Sequence, residues 1–180
     1  MEFKEVLETR RSIRSFDGSR KVTEEQLVEL LLAAGMAPSW KNSQTARTYC
    51  VVSDGLLAKV KSECLPEFNQ RSSAGASALL VTAFVPGQSG YDTQTGKPVN
   101  EGGNGWGYYD LGMHDQNLLM AARNLGLGTL VMGIRDAEKL RKLLEIPEEQ
   151  EIVSVIAVGY PAAAPKMPAR RTLAEVARFL

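Results

Sequence analysis

Histidine is almost missing from this chain: His114 stands alone among 180 residues. One ring per protomer excludes a multi-histidine metal centre and a histidine-based facial triad, and a Ser-His-Asp triad would have to use that ring. Cysteine is nearly as scarce. Cys50 and Cys64 lie in apolar surroundings with no close-spaced pair, which predicts two buried thiols in a reducing compartment and no disulfide. Net charge is also lacking, because Lys plus Arg and Asp plus Glu both number 21. Zero charge argues against a whole-domain electrostatic grip on nucleic acid or on an anionic membrane. No apolar run approaches the roughly 20 residues of a membrane span. The opening Met-Glu-Phe-Lys-Glu carries mixed charge and does not read as a signal peptide. Together these features predict a cytoplasmic protein with no metal, nucleic-acid or membrane partner.

What remains is ordinary globular material, and its length suits one domain over residues 1–180 that needs no covalent staple. Phe3, Val6 and Leu7 predict a short first helix that leads into Arg10. Thr23-Glu24-Glu25-Gln26 is a capping box, and Leu27, Leu30, Leu31 and Ala34 continue it as a helix with a wide apolar face. Residues 48–52 read as a strand, and Asp54 as the cap of a helix carrying Leu57, Val60 and Cys64. Residues 79–85 and 128–134 read as buried strands, with Ile152–Val158 as a further one. A long helix is expected over about 109–125, another after Asp136, and a short one within Thr172–Leu180. Between the strand at 79–85 and the long helix, residues 86–107 hold seven glycines and two prolines, a stretch that reads as a lid or mobile segment. Helices and strands mix without regular βαβ alternation, so the expected class is α+β, a sheet layered between helices.

The familiar nucleotide signatures are absent. No segment ends Gly-Lys-Ser/Thr, and Gly126-Leu127-Gly128 precedes a strand where a Rossmann turn would follow one. The cations, however, are unevenly spread. Arg10, Arg11, Arg14, Arg20 and Lys21 crowd the first segment against Asp17, and Lys166, Arg170 and Arg171 come without an intervening acid. Two readings stay open: an anion clamp, in which guanidinium forks and the Ser12 hydroxyl meet phosphate oxygens, or a solvated basic surface partly spent on helix capping. Ala37-Pro38-Ser39-Trp40-Lys41-Asn42-Ser43-Gln44 is the second unusual segment. Its amides suit the edge of a heterocycle, or they serve a turn that bonds its own backbone. Tyr91, Trp106, Tyr108 and Tyr109 fit either an aromatic lid or ordinary packing. His114 reads as a helix side chain bonded to a neighbour, Glu145 to Glu151 as a solvated acidic turn, and Met113, Met120 and Met132 as core filler.

Three segments, in order over nearly the whole chain, resemble the nitroreductase family of flavoproteins. They are Arg10-Arg11-Ser12-Ile13-Arg14-Ser15-Phe16; Ala37-Pro38-Ser39 with Asn42 and Gln44; and Gly159-Tyr160-Pro161 followed by Lys166, Arg170 and Arg171. The resemblance implies a three-layer sandwich with a mixed, mainly antiparallel central sheet, and an obligate homodimer holding two FMN molecules at its interface. NAD(P)H would be the electron donor, and nitroaromatics or quinones the acceptors in a ping-pong scheme. By the same resemblance, Arg10, Arg11, Ser12 and Arg14 form the first phosphate- and ring-binding segment. Pro38, Ser39 and Asn42 are laid against the partner subunit's flavin, with Trp40 as a pocket wall where a small residue is common. Asn69 and Gly133 approach the ring, and Arg170 and Arg171 close the phosphate clamp. The sequence departs from the family in following Gln44 with Thr45 rather than proline. The rival readings are a non-catalytic flavin- or nucleotide-binding regulator and a flavin reductive dehalogenase-type relative.

Overall fold

Alternating side chains on two central strands decide the architecture. The computed structural model describes residues 1–180. Strand β2 (Ala78–Phe84) is buried along its whole length, and β4 (Glu151–Gly159) beside it is nearly so. With β1 (Ala46–Val51) and β3 (Gly128–Met132) they form a four-stranded sheet in the order β1-β2-β4-β3, antiparallel at every ladder. A parallel bridge from Ser12 to Thr129 lies outside the named strands and makes the sheet mixed, mainly antiparallel.

On one face, Ala78, Leu80, Ile156 and Val158 pack with Leu27, Leu30 and Ala34 of α2 (Glu24–Gly35) and with Leu118, Leu119 and Ala122 of α5 (Gly105–Asn124). On the other, Leu79, Val81, Ala83, Val155 and Ala157 meet Leu57 of α3 (Asp54–Lys59), Val60 and Cys64 of the π-helical turn after it, and Leu140 of α6 (Ala137–Leu144). A period-2 pattern that is apolar on both faces requires covering layers on both sides. A bulge between Thr82 and Ala83 shifts the β2–β4 register, so Ile152 pairs with Ala83 and joins the second layer. The remaining helices, α1 (Phe3–Thr9), α4 (Glu67–Ser72) and α7 (Leu173–Val176), are short.

The capping box at Thr23 and Gln26 forms in both directions, and the Asp136 carboxylate accepts from the Lys139 N–H. Three expectations are corrected. Asp54 does not cap α3: Ser53 occupies that position, and the Asp54 carboxylate pairs with Lys21 across the chain. Cys50 is exposed on the edge strand β1, whereas Cys64 is buried. Strand β3 is also an edge strand, so Val131 points outward instead of into a layer.

Residues 86–107 carry local structure of their own. Tyr91 bridges Pro98, the Asp92 N–H donates to the Lys97 carbonyl and the Val99 N–H to that of Gly90, which makes a small hairpin. The hairpin folds back onto Trp106, whose indole N–H donates to Asn100 Oδ1 at 2.9 Å. The glycines have packing reasons: a Cβ at Gly90 would come within 2.5 Å of the Trp106 ring, and one at Gly107 within 2.4 Å of Phe84. Helix α5 therefore begins at Gly105, earlier than helix propensity suggests.

Replacing Gly107 by Ala should destabilise the protein by about 1–3 kcal/mol, because buried Phe84 has to leave its rotamer or its place. Gly55→Ala, where a Cβ meets nothing within 4 Å, should be neutral or stabilising by up to about 1 kcal/mol. Urea unfolding of the two variants checks this, and equal midpoints would contradict the packing account.

Candidate functional site

The chain after α1 runs extended and is fastened twice. The Ile13 N–H donates to the Thr129 carbonyl at 2.9 Å, which lays residues 12–13 along the free edge of β3. The Asp17 N–H then donates to the Tyr160 carbonyl at 2.8 Å and the Ala162 N–H to the Ser15 carbonyl at 2.9 Å, with Phe16 opposite Pro161. Ile13 and Phe16 turn inward and are buried. Their seats are made by glycines: a Cβ at Gly128 would strike Ile13 at 2.6 Å, and one at Gly159 would meet Phe16 at 3.0 Å. With the apolar pair committed to the core, Arg10, Arg11 and Ser12 stay half-buried and Arg14 exposed.

Beside them lies a cavity of about 410 Å³, lined by Arg10, Arg11, Arg123, Gly128, Thr129 and the Pro161–Pro165 stretch. The cations here are unbalanced. None of Arg10, Arg11, Arg14, Arg170 or Arg171 forms an ion pair with a carboxylate. Partial burial holds the Arg10 guanidinium below its usual range, and repulsion from Arg11 and Arg170 adds to this. The two ends of the chain thus converge on one place, and Arg170 is the C-terminal arginine that Arg10 senses. Arg11 spends its guanidinium differently, donating to the Arg10 and Glu8 carbonyls at 2.6 Å each and so closing the end of α1. Arg171 is exposed and makes no side-chain hydrogen bond within the chain.

Along β3 from this cavity, Gly133 follows the last strand residue, and a Cβ there would meet nothing within 4 Å. The chain's own packing therefore gives no reason for glycine at this position. Asn69, buried on α4, donates its Nδ2 to the Ile134 carbonyl at 2.9 Å, which ties it next to Gly133 and leaves its Oδ1 without a partner in the chain. Arg10, Ser12, Asn69, Gly133 and Arg170 consequently gather along one edge of the sheet and the chain ends that border it.

Pro38, Ser39, Trp40 and Asn42 belong to a separate group. Residues 39–44 form an arch on a short 3₁₀ turn (Trp40–Asn42) in which Lys41, Asn42 and Gln44 all have positive φ, at 47°, 56° and 49°. Left-handed backbone costs a non-glycine residue about 1–2 kcal/mol, so the arch persists only because several bonds specify it. Gln44 N–H donates to Ser39 Oγ at 3.0 Å, Asn42 N–H to the Ser39 carbonyl at 3.0 Å, and Trp40 N–H to Asp110 Oδ2 at 2.9 Å. The arch borders a cavity of about 230 Å³ with Asp110 and His114, and another of about 400 Å³ with Tyr91 and Asp92. His114 bonds Asp115 at 3.1 Å, as expected of a helix side chain satisfied by its neighbour.

Within one chain no hydrogen bond or ion pair joins the arch to the arginine group. Asp110, under the arch, and Arg123, at the arginine cavity, are 13 residues apart on α5, roughly 20 Å along its axis. Sequence reasoning missed both residues. Arg123 reads as an ordinary cation near a helix end, and its bond to Thr9 Oγ1 at 2.9 Å has no local signature.

With this geometry in view, comparisons with known proteins are informative. A family model described as the nitroreductase family matches residues 7–160. A protein of Archaeoglobus fulgidus, provisionally named an NADH dehydrogenase/NAD(P)H nitroreductase, is 34% identical over 165 residues, covering 87% of this chain and 83% of the relative. A solved nitroreductase of Exiguobacterium sibiricum, provisionally so named and in complex with FMN, superposes with a TM-score of 0.87 at 20% identity, covering 100% of this chain and 98% of its own. A provisionally named NAD(P)H:FMN oxidoreductase of Staphylococcus epidermidis gives 0.86 at 25% identity, covering 99% and 96%. Matched from the first arginine segment to the end of the sheet, and by a relative of comparable length, the chain belongs to the nitroreductase family.

Proposed function

We propose that this chain is an FMN-dependent oxidoreductase that acts as a homodimer, taking reducing equivalents from NAD(P)H and passing them to small planar acceptors such as nitroaromatics or quinones. The observation that carries this reading is the crowding of Arg10, Arg11 and Arg170 with no carboxylate among them, beside a cavity bordered by Gly128, Thr129 and the Pro161–Pro165 stretch. Like charges held together in a partly buried place are relieved by an anion, and a phosphate monoester accepts guanidinium forks in bidentate fashion.

The residues present fit FMN. Arg10, Arg170 and the Ser12 hydroxyl would hold the phosphate. Arg14 would supply a cation to the ring, Asn69 Oδ1 an acceptor, and the backbone at Gly133 a close approach free of any side chain. FMN, when bound, supplies the hydride and electron transfer, which agrees with the poverty of nucleophile and base candidates in the chain. The protein's part is to orient the ring, exclude water and leave one face open for donor and acceptor in turn, which gives ping-pong kinetics.

Two features support the second subunit. The arch at 39–44 lies away from the arginine group in its own chain, so a partner's arch can complete the site. Residues 161–180 are all exposed, Phe179 at 87%, and form an arm without a core of its own. Exposed Phe3, Leu32 and Met36 add to an apolar surface that is costly to leave in water.

The purified protein should be yellow, release FMN on heating, and consume NADH or NADPH with menadione or a nitrofuran. Bound FMN without turnover would instead favour the non-catalytic regulator. Arg10→Ala and Arg170→Ala should each weaken FMN binding by about tenfold or more, the loss of one charge-assisted contact, with an unchanged far-UV spectrum. Arg171→Ala should cost less, since of the two C-terminal arginines Arg170 is the one that repels Arg10; an equal or larger loss at Arg171 would contradict that assignment. Fluorescence of released FMN should rise as the protein is diluted through the range in which sedimentation shows the dimer separating.

A further inference from the structure

Asp110 has no part in the flavin contacts proposed above, yet it is a carboxylate only 4% exposed. Burying such a group is expensive unless hydrogen bonds compensate, so its partners show what it is for. Its Oδ2 accepts the Trp40 N–H at 2.9 Å and the Ser89 hydroxyl at 2.6 Å. Ser89 Oγ also lies 2.8 Å from Ser43 Oγ. A serine has one proton, and Ser89 gives its proton to Asp110, so Ser43 has to donate to Ser89. The chain of bonds is therefore directed, from Ser43 through Ser89 to the carboxylate, and it grips the strained arch at Trp40 and at Ser43.

The Trp40 side chain has no polar anchor. Its indole N–H is buried without an acceptor, and its ring rests on Trp106, 4.7 Å between centroids and inclined by 52°. Trp106 and Asp110 are four residues apart on α5 and present one surface to the arch. We infer that Asp110 is a positioning residue: its carboxylate fixes the left-handed arch at 39–44, and with it the face that the arch presents to the flavin of a second subunit. The inference rests on the flavin reading above for its consequence, and on the observed bonds alone for its mechanism.

The test uses full-length protein, with and without FMN, in two measurements. Two inclined indoles at this separation give an exciton couplet in circular dichroism, which Trp40→Phe identifies by abolishing it. Asp110→Ala should keep the helical signal, lose the couplet in the FMN-free protein, and weaken FMN binding by about tenfold, as loss of bonds to a buried charge implies. Asp110→Asn, which keeps an acceptor oxygen but not the charge, should restore the couplet and lose only about threefold in affinity. A couplet that survives in Asp110→Ala, or FMN affinity within about twofold of wild type, overturns the inference. Should Asp110→Ala fail to fold, Ser89→Ala decides by the same two measurements and the same limits. A wild-type protein that binds no FMN would defeat the flavin reading, and the couplet would still decide the role of Asp110.

Discussion

The arrangement depends on a short stretch of backbone: residues 12–17 paired to Thr129 on one side and to Tyr160 and Ala162 on the other. This pairing extends the edge of β3, where Val131 already faces outward, and draws the chain after β4 to the same place. It is held by Ile13 and Phe16, which enter the core where Gly128 and Gly159 leave room. Extended backbone sends neighbouring side chains to opposite sides, so burying Ile13 leaves Ser12 and Arg14 on the outer side. The cation cluster is in this sense a by-product of apolar packing: the core fixes the strand, and the strand fixes the guanidinium groups. Arg10 and Ser12 are thereby placed by main-chain bonds that form without any ligand.

Zero net charge is compatible with such a site because charge is read locally. Eight of the cations fall in two short segments remote in sequence, and only the fold sums their field. The effect is visible at Arg10, whose guanidinium is disfavoured by burial and by two neighbouring arginines. Exposed pairs elsewhere, such as Lys4 with Glu8, contribute little by comparison, since water screens them.

The layers were legible because their signals are local. The Thr23 capping box, the apolar run of β2 and the Asp136 cap each occupy a few consecutive residues, and each formed as read. The three segments that resemble the nitroreductase family were legible for the same reason. What escaped reading depends on partners remote in sequence. Gly90 and Gly102 look like loop flexibility until Trp106 is seen lying against them, and Gly107 looks unfit for a helix until Phe84 is seen where its side chain would be. Cys50 sits in an apolar run, but β1 is an edge strand, which the run alone does not reveal. Lys41, Asn42 and Gln44 carry the left-handed turn without a single glycine, so nothing local announced the arch.

That last point separates the two halves of the site by how they are specified. The backbone that carries Arg10 and Ser12 is fixed by main-chain pairing and by the burial of Ile13 and Phe16. The arch is fixed by side chains, through Ser39, Ser43, Ser89 and Asp110, against the preference of its own backbone. Strain of this kind is sustained only when the surrounding bonds outweigh it, so the arch is the part of the site most easily reshaped by substitution at a distance. A scaffold that places its arginine cluster by backbone pairing and its arch by a buried carboxylate can vary the second without loosening the first.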